Sequence, residues 1–531
     1  MERRQCGLCT HIYDEGNEPI KWSDLPDDWV CPICGSGKSA FTLLPAAHQE
    51  APAESRTKPD SLVSYQCGLC SHVYDESQEE LRWDELPDDW ICPVCGSGRS
   101  AFSAAGSANR QGKASDGSSA ELDEEYLSEW RRSSDDVETH MADIHQLAIS
   151  GHSIIEPMRT RIPTVSWHEI LIRGAQLAKL PLNKSQPVST RTILGPDAAT
   201  PLVLETPVFV THMSFGALSR EAKLALAKGS ARAGTAMCSG EGGILPECLE
   251  AADEYIFEYV PNKYSLTDEN LSRVDAVEIK IGQSAKPGMG GHLPGHKVTR
   301  EIAEIRGFHE GQDIISPSHF PDIRGEGDLR MTIEELRRRT EGKPVGVKLA
   351  AGHLKADIEI AVRAGADFIT VDGRAGGTGA APKVVKGAAS VPTMFALAKA
   401  REVLDSLGAG HISLVITGGL RVSSDFAKAL ALGADAIAVG TAAMMAVGCQ
   451  QYRICDTGRC PVGIATQDPA LRARLDVEKS AARVANFFRA CTEELKEFAR
   501  LTGNSDVHGL SPADLCTTNS EISNHMRIEH V

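Results

Sequence analysis

The sequence predicts an α/β protein: a parallel (β/α)8 barrel preceded by two small metal-binding modules. Three observations carry that expectation. Short apolar stretches alternate with segments of helical composition eight times beyond residue 190. The first hundred residues hold one pattern twice, and each copy contains two Cys-x2-Cys pairs. Eightfold alternation suits a β/α barrel, because parallel strands must be joined by crossovers. An open doubly wound sheet is the alternative that alternation alone leaves standing.

The front of the chain comes first. CGLCTHIYDEGNEPIKWSDLPDDWVCPICGSGKSAF at 6–41 returns as CGLCSHVYDESQEELRWDELPDDWICPVCGSGRSAF at 67–102, an offset of 61 positions. Modules are therefore expected at 1–45 and 62–103. Residues 46–61, rich in Pro, Ala and charge, read as a linker, and the Gly/Ser/Ala-rich 104–120 as a flexible tether. Each copy runs Cys-x2-Cys, 21 residues, Cys-x2-Cys. Four thiolates from two tight turns form a tetrahedral site for iron or zinc. Cys6, Cys9, Cys31 and Cys34 make one set, and Cys67, Cys70, Cys92 and Cys95 the other. A zinc ribbon that only staples a small fold is equally compatible with the spacing.

From residue 121 the composition is that of a large globular domain. Residues 121–190 are expected as a helical lead-in, 191–503 as the barrel with a closing helix, and 504–531 as a C-terminal tail. The strand candidates are 202–211, 235–239, 276–281, 313–316, 345–349, 368–371, 414–417 and 436–439. Several are near-continuous Val/Ile/Phe runs, as strands buried on both faces should be. Residues 219–233 and 333–340 have helical composition. Beyond Asp476, the spacing of Val484, Phe487, Phe488, Cys491, Leu495 and Phe498 marks the packing stripe of a helix.

Composition narrows the function. A net charge of −17 argues against contacts to a nucleic-acid backbone. No apolar run of the length of a spanning helix occurs, and MERRQCGLCT lacks a signal-peptide core, so a cytoplasmic protein without membrane partners is expected. Eight of the 15 cysteines lie in four Cys-x-x-Cys pairs, which in such a chain point to metal or redox chemistry.

Barrel active sites lie at the C-terminal ends of the strands. There the sequence places THMSFGALSREAK, CSGEGGILPE, IKIGQSAKPGMGGHLPGHKV, VDGRAGGTGAAP, ITGGLRVSSD and AVGTAAMMAVGC. Small residues cluster where a flat ring and a phosphate need close backbone approach. No Gly-x-Gly-x-x-Gly opens a βαβ unit, so reducing equivalents should come from outside the barrel. After the last strand, Cys449-x5-Cys455-x4-Cys460 offers three thiolates without a nearby fourth, which suits a cubane lacking one iron better than zinc. Cys238, Cys248, Cys491 and Cys516 show no such pattern and read as packing or surface thiols.

Two resemblances follow from these motifs. Tyr13-Asp14, Tyr74-Asp75, LPDDWVCPICG and LPDDWICPVCG resemble rubredoxin, which implies two mononuclear irons that each pass one electron; zinc stays open, and the segment between the pairs is shorter than in ordinary rubredoxins. From about 191 to 503, MSFGALSREA, SGEGG, IKIGQSAKPGMGG, LPGHKV, GGTGAAP and GTAAMMAVGCQQYRICDTGRCPVGIATQDP resemble the FMN-binding domain of glutamate synthase. That resemblance implies a 3Fe–4S cluster on Cys449, Cys455 and Cys460. It implies FMN resting on Met213, Ser214 and Gly216, with Gln283 close by and Lys348 at the pyrimidine edge of the ring. Gly376, Gly377, Gly418, Gly419, Gly440 and Thr441 would surround ring and phosphate.

The implied reaction adds ammonia to 2-oxoglutarate and reduces the resulting 2-iminoglutarate to L-glutamate. Carried over by position, Glu241 would handle protons. Lys286 would be both catalytic and, with Arg306 and Ser214, substrate-binding. Position 292 departs from the family: Gln contacts the oxo acid there, and this chain has His292. The family's glutaminase and β-helical domains have no counterpart in the sequence. Nitrogen would then come from free ammonium, an amine or a separate amidotransferase subunit, and electrons from a reductase or other donor protein. An oligomer is expected. Two other readings compete: an N-methylglutamate synthase-type enzyme, or one using another oxo acid, and an electron-transfer protein without turnover.

Overall fold

The computed structural model describes residues 134–531 throughout; ahead of them it describes 3–6, 12–14, 21–26, 29–31, 37–43, 64–67, 73–75, 82–87, 90, 99, 102–104 and 132. The chain divides into two units, Met1–Leu44 with Ser153–Val531, and Pro45–His152. Among the described residues no helix is long and apolar enough to cross a membrane.

Eight parallel strands close into a barrel in chain order. They are β1 (Val208–Val210), β2 (Ala236–Cys238), β3 (Glu254–Tyr259), β4 (Ala276–Lys280), β5 (Val345–Ala350), β6 (Phe368–Asp372), β7 (Ser413–Thr417) and β8 (Ala436–Val439). Closure is made where Val208, Phe209 and Val210 pair with Ile437, Ala438 and Val439. Every second residue points inward, as the strand period demands. Phe209, Ala236, Cys238, Ile256, Ala276, Phe368, Val415, Ala436 and Ala438 form one apolar interior, capped from below by Leu194, Leu202 and Leu204. Two steps further along several strands the inward residues become charged: Glu258, Glu278, Lys280, Lys348 and Asp372, all at the C-terminal end. Apolar at the base and charged at the mouth, the interior aims its chemistry in one direction.

Two strand expectations require correction. Residues 313–316 do not belong to the barrel; Ile314–Ile315 pairs antiparallel with His292–Leu293 in a small hairpin on the rim. The strand that takes its place is Glu254–Tyr259, whose inward Glu258 and flanking Glu254 break the apolar run that marked the others. The 202–211 candidate also splits. Leu202–Leu204 pairs with Thr192–Leu194 outside the barrel, and only Val208–Val210 enters it.

Helices cover the outside. α1 (Arg220–Ala231) is capped by Ser219, whose hydroxyl accepts from the Ala222 N–H. α2 (Val477–Leu501) buries Val484, Phe488, Cys491 and Leu495 along the expected stripe. The two lie so close that a Cβ on Gly229 would stand 2.5 Å from the Val484 Cβ. The flanks differ from expectation. Among the described residues of 132–190 there is one α-helix, Met141–Ser150, and otherwise short strands and irregular chain. The last residues are packed rather than trailing: Leu515–Thr517 pairs with Ile170–Ile172 and with Glu529–His530.

Each front module carries a three-stranded antiparallel sheet, centred on Arg3–Cys6 in one and Ser64–Cys67 in the other. In the first, Tyr13, Trp22, Trp29 and Phe41 form an aromatic cluster against which Cys31 is buried. The second repeats it with Tyr74, Trp83 and Trp90. Cys9, Cys34, Cys70, Cys92, Cys95 and the side chains of Cys6 and Cys67 lie outside the described residues.

Candidate active site at the barrel mouth

Above the charged end of the barrel lies a cavity walled by the loops that follow its strands. Met213, Ser214, Glu241, Gln283, Lys286, His292, Arg306, Lys348, Gly376, Gly377, Gly418, Gly419, Gly440, Thr441 and Cys455 all line it. Gly216 does not. It is packed behind the wall, with room for a Cβ only 2.8 Å from Leu293 and 3.2 Å from Arg306.

The loops are held in place from beneath. Lys223, fully buried on α1, donates to the carbonyls of Met213 at 2.8 Å, Cys238 at 3.1 Å and Ser239 at 2.6 Å, which ties the loops after β1 and β2 together. Gly240, at φ 77°, lets the second loop approach so closely that a Cβ there would meet the Met213 carbonyl carbon at 2.4 Å. Its N–H donates to His212 Nδ1 at 3.2 Å, so the ring hydrogen sits on Nε2, 3.1 Å from Glu278 Oε2.

Ion pairs organise the floor. Lys280, at the end of β4, donates to Glu241 Oε2 at 2.6 Å, and its Nζ lies 4.0 Å from Glu258. Lys348 stands in register with Lys280 on β5, 3.9 Å from the same Glu258 oxygen. Burial would raise the Glu241 carboxyl, but the Lys280 ammonium outweighs it, and the carboxyl is pulled down to about 2. Burial likewise works against Lys348, yet Glu258, Glu278 and Asp372 hold it above its ordinary value. His212, Glu258 and Glu278 are close enough together to hold a cation. The Lys280 and Lys348 ammoniums already supply positive charge beside Glu258, so a metal there is not needed.

Two cations face the cavity from its side. Lys286 is buried and donates to the Gly290 carbonyl at 2.8 Å. Arg306 donates to the Phe215 carbonyl at 2.5 Å and lies over the Tyr264 ring, 5.5 Å from its centroid, while its buried Nε has no hydrogen-bond partner. Burial pulls both side chains below their ordinary pKa. His292, on the rim, is half exposed and its Nε2 lies 2.8 Å from Asp313.

On the opposite side, Gly418 and Gly419 at φ 111° and 93° turn the chain after β7, and Gly440 and Thr441 open the short helix after β8. Arg421 lines this side too. Its burial, together with the positive charge of Arg159, drags it down to about 10. Two neighbouring cations beside glycine turns fit a phosphate group, and the small residues leave space for a flat ring.

The three-cysteine segment follows. Cys455 is on the cavity wall; Cys460 is buried and Cys449 partly so. Burial, then the neighbouring sulfurs of Cys449 and Cys460, push the Cys455 thiol up to about 12. The three are thus in electrostatic contact, and an iron–sulfur group would supply the positive charge their thiolates lack. Gln451 aims its backbone N–H and its side-chain amide at the Cys449 sulfur, at 3.4 and 3.3 Å. Gln451 and Arg453 both adopt positive φ, so the loop is held in a conformation few side chains favour.

Sequence reasoning missed His212, Glu258, Glu278, Lys280, Asp372 and Arg421. A signal for the strand residues did exist. Read in steps of two, AVEIK turns from Ala276 to Glu278 and Lys280 toward the mouth, and in EYIFEY the apolar Ile256 is followed by Glu258.

Comparisons with known proteins show the family. A family model described as the conserved region in glutamate synthase matches residues 160–505, and the rubredoxin model matches 3–41 and 64–102. An archaeal-type glutamate synthase [NADPH] of Thermotoga neapolitana is 40% identical over 395 residues, covering 70% of this chain and 78% of that protein. A glutamate synthase large subunit-like protein of Rhizobium meliloti is 36% identical over 401 residues, covering 72% and 91%. An archaeal glutamate synthase [NADPH] of Archaeoglobus fulgidus is 34% identical over 470 residues, covering 84% and 88%.

Proposed function

The chain belongs to the glutamate synthase family, and from that premise we propose that this oxidoreductase reductively aminates 2-oxoglutarate, through 2-iminoglutarate, to L-glutamate. The observation that carries the proposal is one cavity bounded by the Glu241 carboxylate, the Lys286 and Arg306 cations, and Cys455.

Met213, Ser214, Gln283, Lys348, Gly376, Gly377, Gly418, Gly419, Gly440 and Thr441 would hold FMN, with Gly216 supporting from behind; Arg421 is added as a phosphate partner. FMN would supply hydride for the imine, and a 3Fe–4S group on Cys449, Cys455 and Cys460 would connect it to electrons entering through the rubredoxin modules. Lys286 and Arg306 fix the two carboxylates of the oxo acid, a task for cations already anchored by backbone carbonyls. Glu241, ionised across the physiological range, would attract ammonium to the carbonyl carbon, take up a proton as nitrogen adds, and return it to the former carbonyl oxygen, which leaves as water when the imine forms. Lys348 places positive charge where a reduced ring would gather negative charge. Electrons come from a donor protein, and nitrogen from free ammonium or a separate amidotransferase.

The test reduces the purified protein without oxygen and then adds 2-oxoglutarate and ammonium. Reoxidation of a flavin spectrum with glutamate appearing supports the proposal. No reoxidation with any oxo acid and amine would leave an electron-transfer protein. A different oxo acid, or a methylated amine as in N-methylglutamate synthase-type enzymes, has one observation in its favour. His292, tied to Asp313, occupies the position where the family presents Gln to the substrate. Methylamine and other oxo acids in the same assay separate these readings.

A further inference from the structure

Substrate and ring binding leave one buried cation on the cavity wall unused. Lys297 enters from the short turn Gly295–Lys297 and is 7% exposed. Its Nζ donates to the carbonyl of Cys455 at 2.7 Å. A Cβ on Gly458 would stand 3.2 Å from its Cε, so the lysine stem lies along the turn that joins Cys455 to Cys460. The ammonium therefore sits between the cavity and the three-cysteine segment, fixed to the backbone of one cysteine.

We propose that Lys297 is a positioning residue for the iron–sulfur group, and that its fixed charge sets the group's reduction potential from the cavity side. The inference rests on Cys449, Cys455 and Cys460 being the ligands. Each one-electron reduction adds one negative charge to the group and breaks no bond. A nearby buried ammonium favours the more negative state, and it does so more strongly than an exposed one because little water screens it. It also ties down the Cys455 carbonyl, whose negative end would otherwise be free to oppose the added electron. Cluster potentials respond to local charge and hydrogen bonding in this way.

The experiment is a redox titration of the cluster's paramagnetic resonance signal, with dithionite and mediators, on full-length protein. Lys297→Met should favour the oxidised state on the order of tenfold, a fall of ~59 mV for one electron. Lys297→Arg should stay near wild type. Lys355→Met, which removes an exposed lysine elsewhere on the barrel, should shift nothing. An unchanged potential in a Lys297→Met protein with full cluster content would overturn the proposal. Should that variant lack the cluster, Lys297→Gln, which keeps a donor for the carbonyl, decides by the same readout. Loss of the cluster in both neutral variants, with Lys297→Arg intact, would also overturn it, since the charge would then serve assembly rather than potential. If wild-type protein shows no iron–sulfur signal at all, the reading of the three cysteines fails instead.

Discussion

At the scale of residues, the Glu241–Lys280 pair decides how the site handles protons. The Glu241 carboxyl is held at about 2, so its contribution to stability is complete above its ordinary titration range and is lost only as pH falls toward 2. Wild-type activity should therefore show no acid limb from Glu241 between about pH 5 and 8. In Lys280→Met the burial that already opposes ionisation acts without its counterweight, and the carboxyl rises. The pH profile of kcat/KM should then gain an acid limb, and a profile that stays flat would refute the pairing. Glu241→Gln should lower kcat by about 10²–10⁴-fold, the usual range for a removed acid–base group, with cofactor content unchanged. Lys286→Met should raise KM for the oxo acid by about 10–100-fold, the loss of a charged hydrogen bond worth ~1.5–3 kcal/mol. Glu241, Lys286 and Arg306 were reached only through the family resemblance of the segments that hold them, and the structure brings all three to the wall of one cavity. For Lys280 the two-residue period of AVEIK marks an inward charge, but nothing in it says that this charge meets a carboxylate from another loop.

At the scale of elements, the barrel was legible wherever a strand is apolar on both faces, as in β6, β7 and β8. It was not legible at β3, where the charge that makes the strand useful also disguises it. Length was a second obstacle: Ile314–Ile315 has strand composition but no partner strand long enough to draw it into the wall. Packing inside the barrel exposes a further element-level dependence. Gly346 on β5 faces Phe368 on β6, and a Cβ at 346 would stand 2.2 Å from the phenyl ring. Phe368 is wholly buried and fills the barrel centre beneath the charged layer. Gly346→Ala should cost roughly 1–3 kcal/mol in denaturant unfolding, as overpacking does. Adding Phe368→Leu should recover part of that loss, because the two changes share one space. Equal stability of Gly346→Ala and wild type would mean that the ring has somewhere else to go.

For the whole molecule, two copies of one module raise the question of why there are two. They are not electrostatic equals. Residues 3–41 hold six acids and four bases, and residues 64–102 hold eight acids and two bases. Inside the first, the Arg4 guanidinium lies 5.4 Å from the Trp22 ring centre, and Lys38 donates to the Leu25 carbonyl. Inside the second, Tyr65 takes the place of Arg4 and stacks on Trp83 at 4.4 Å, while Arg99 takes the place of Lys38. One cation is lost from the cluster, and the second module's sequence carries two more acids. An iron held by four cysteines becomes more negative by one charge when reduced, so the more acidic module should hold its electron less firmly. The second module should therefore have the lower potential, and electrons should run downhill from it to the first. Full-length protein carrying Cys31→Ser with Cys34→Ser retains only the second site, and Cys92→Ser with Cys95→Ser only the first. Spectral redox titration of the two should place the first site higher, with the gap widening at low ionic strength, where charges are screened less. Equal potentials, or the reverse order, would show that the difference in charge between the modules does not set the direction of transfer; a colourless zinc-loaded module would remove that module from the proposed electron path altogether.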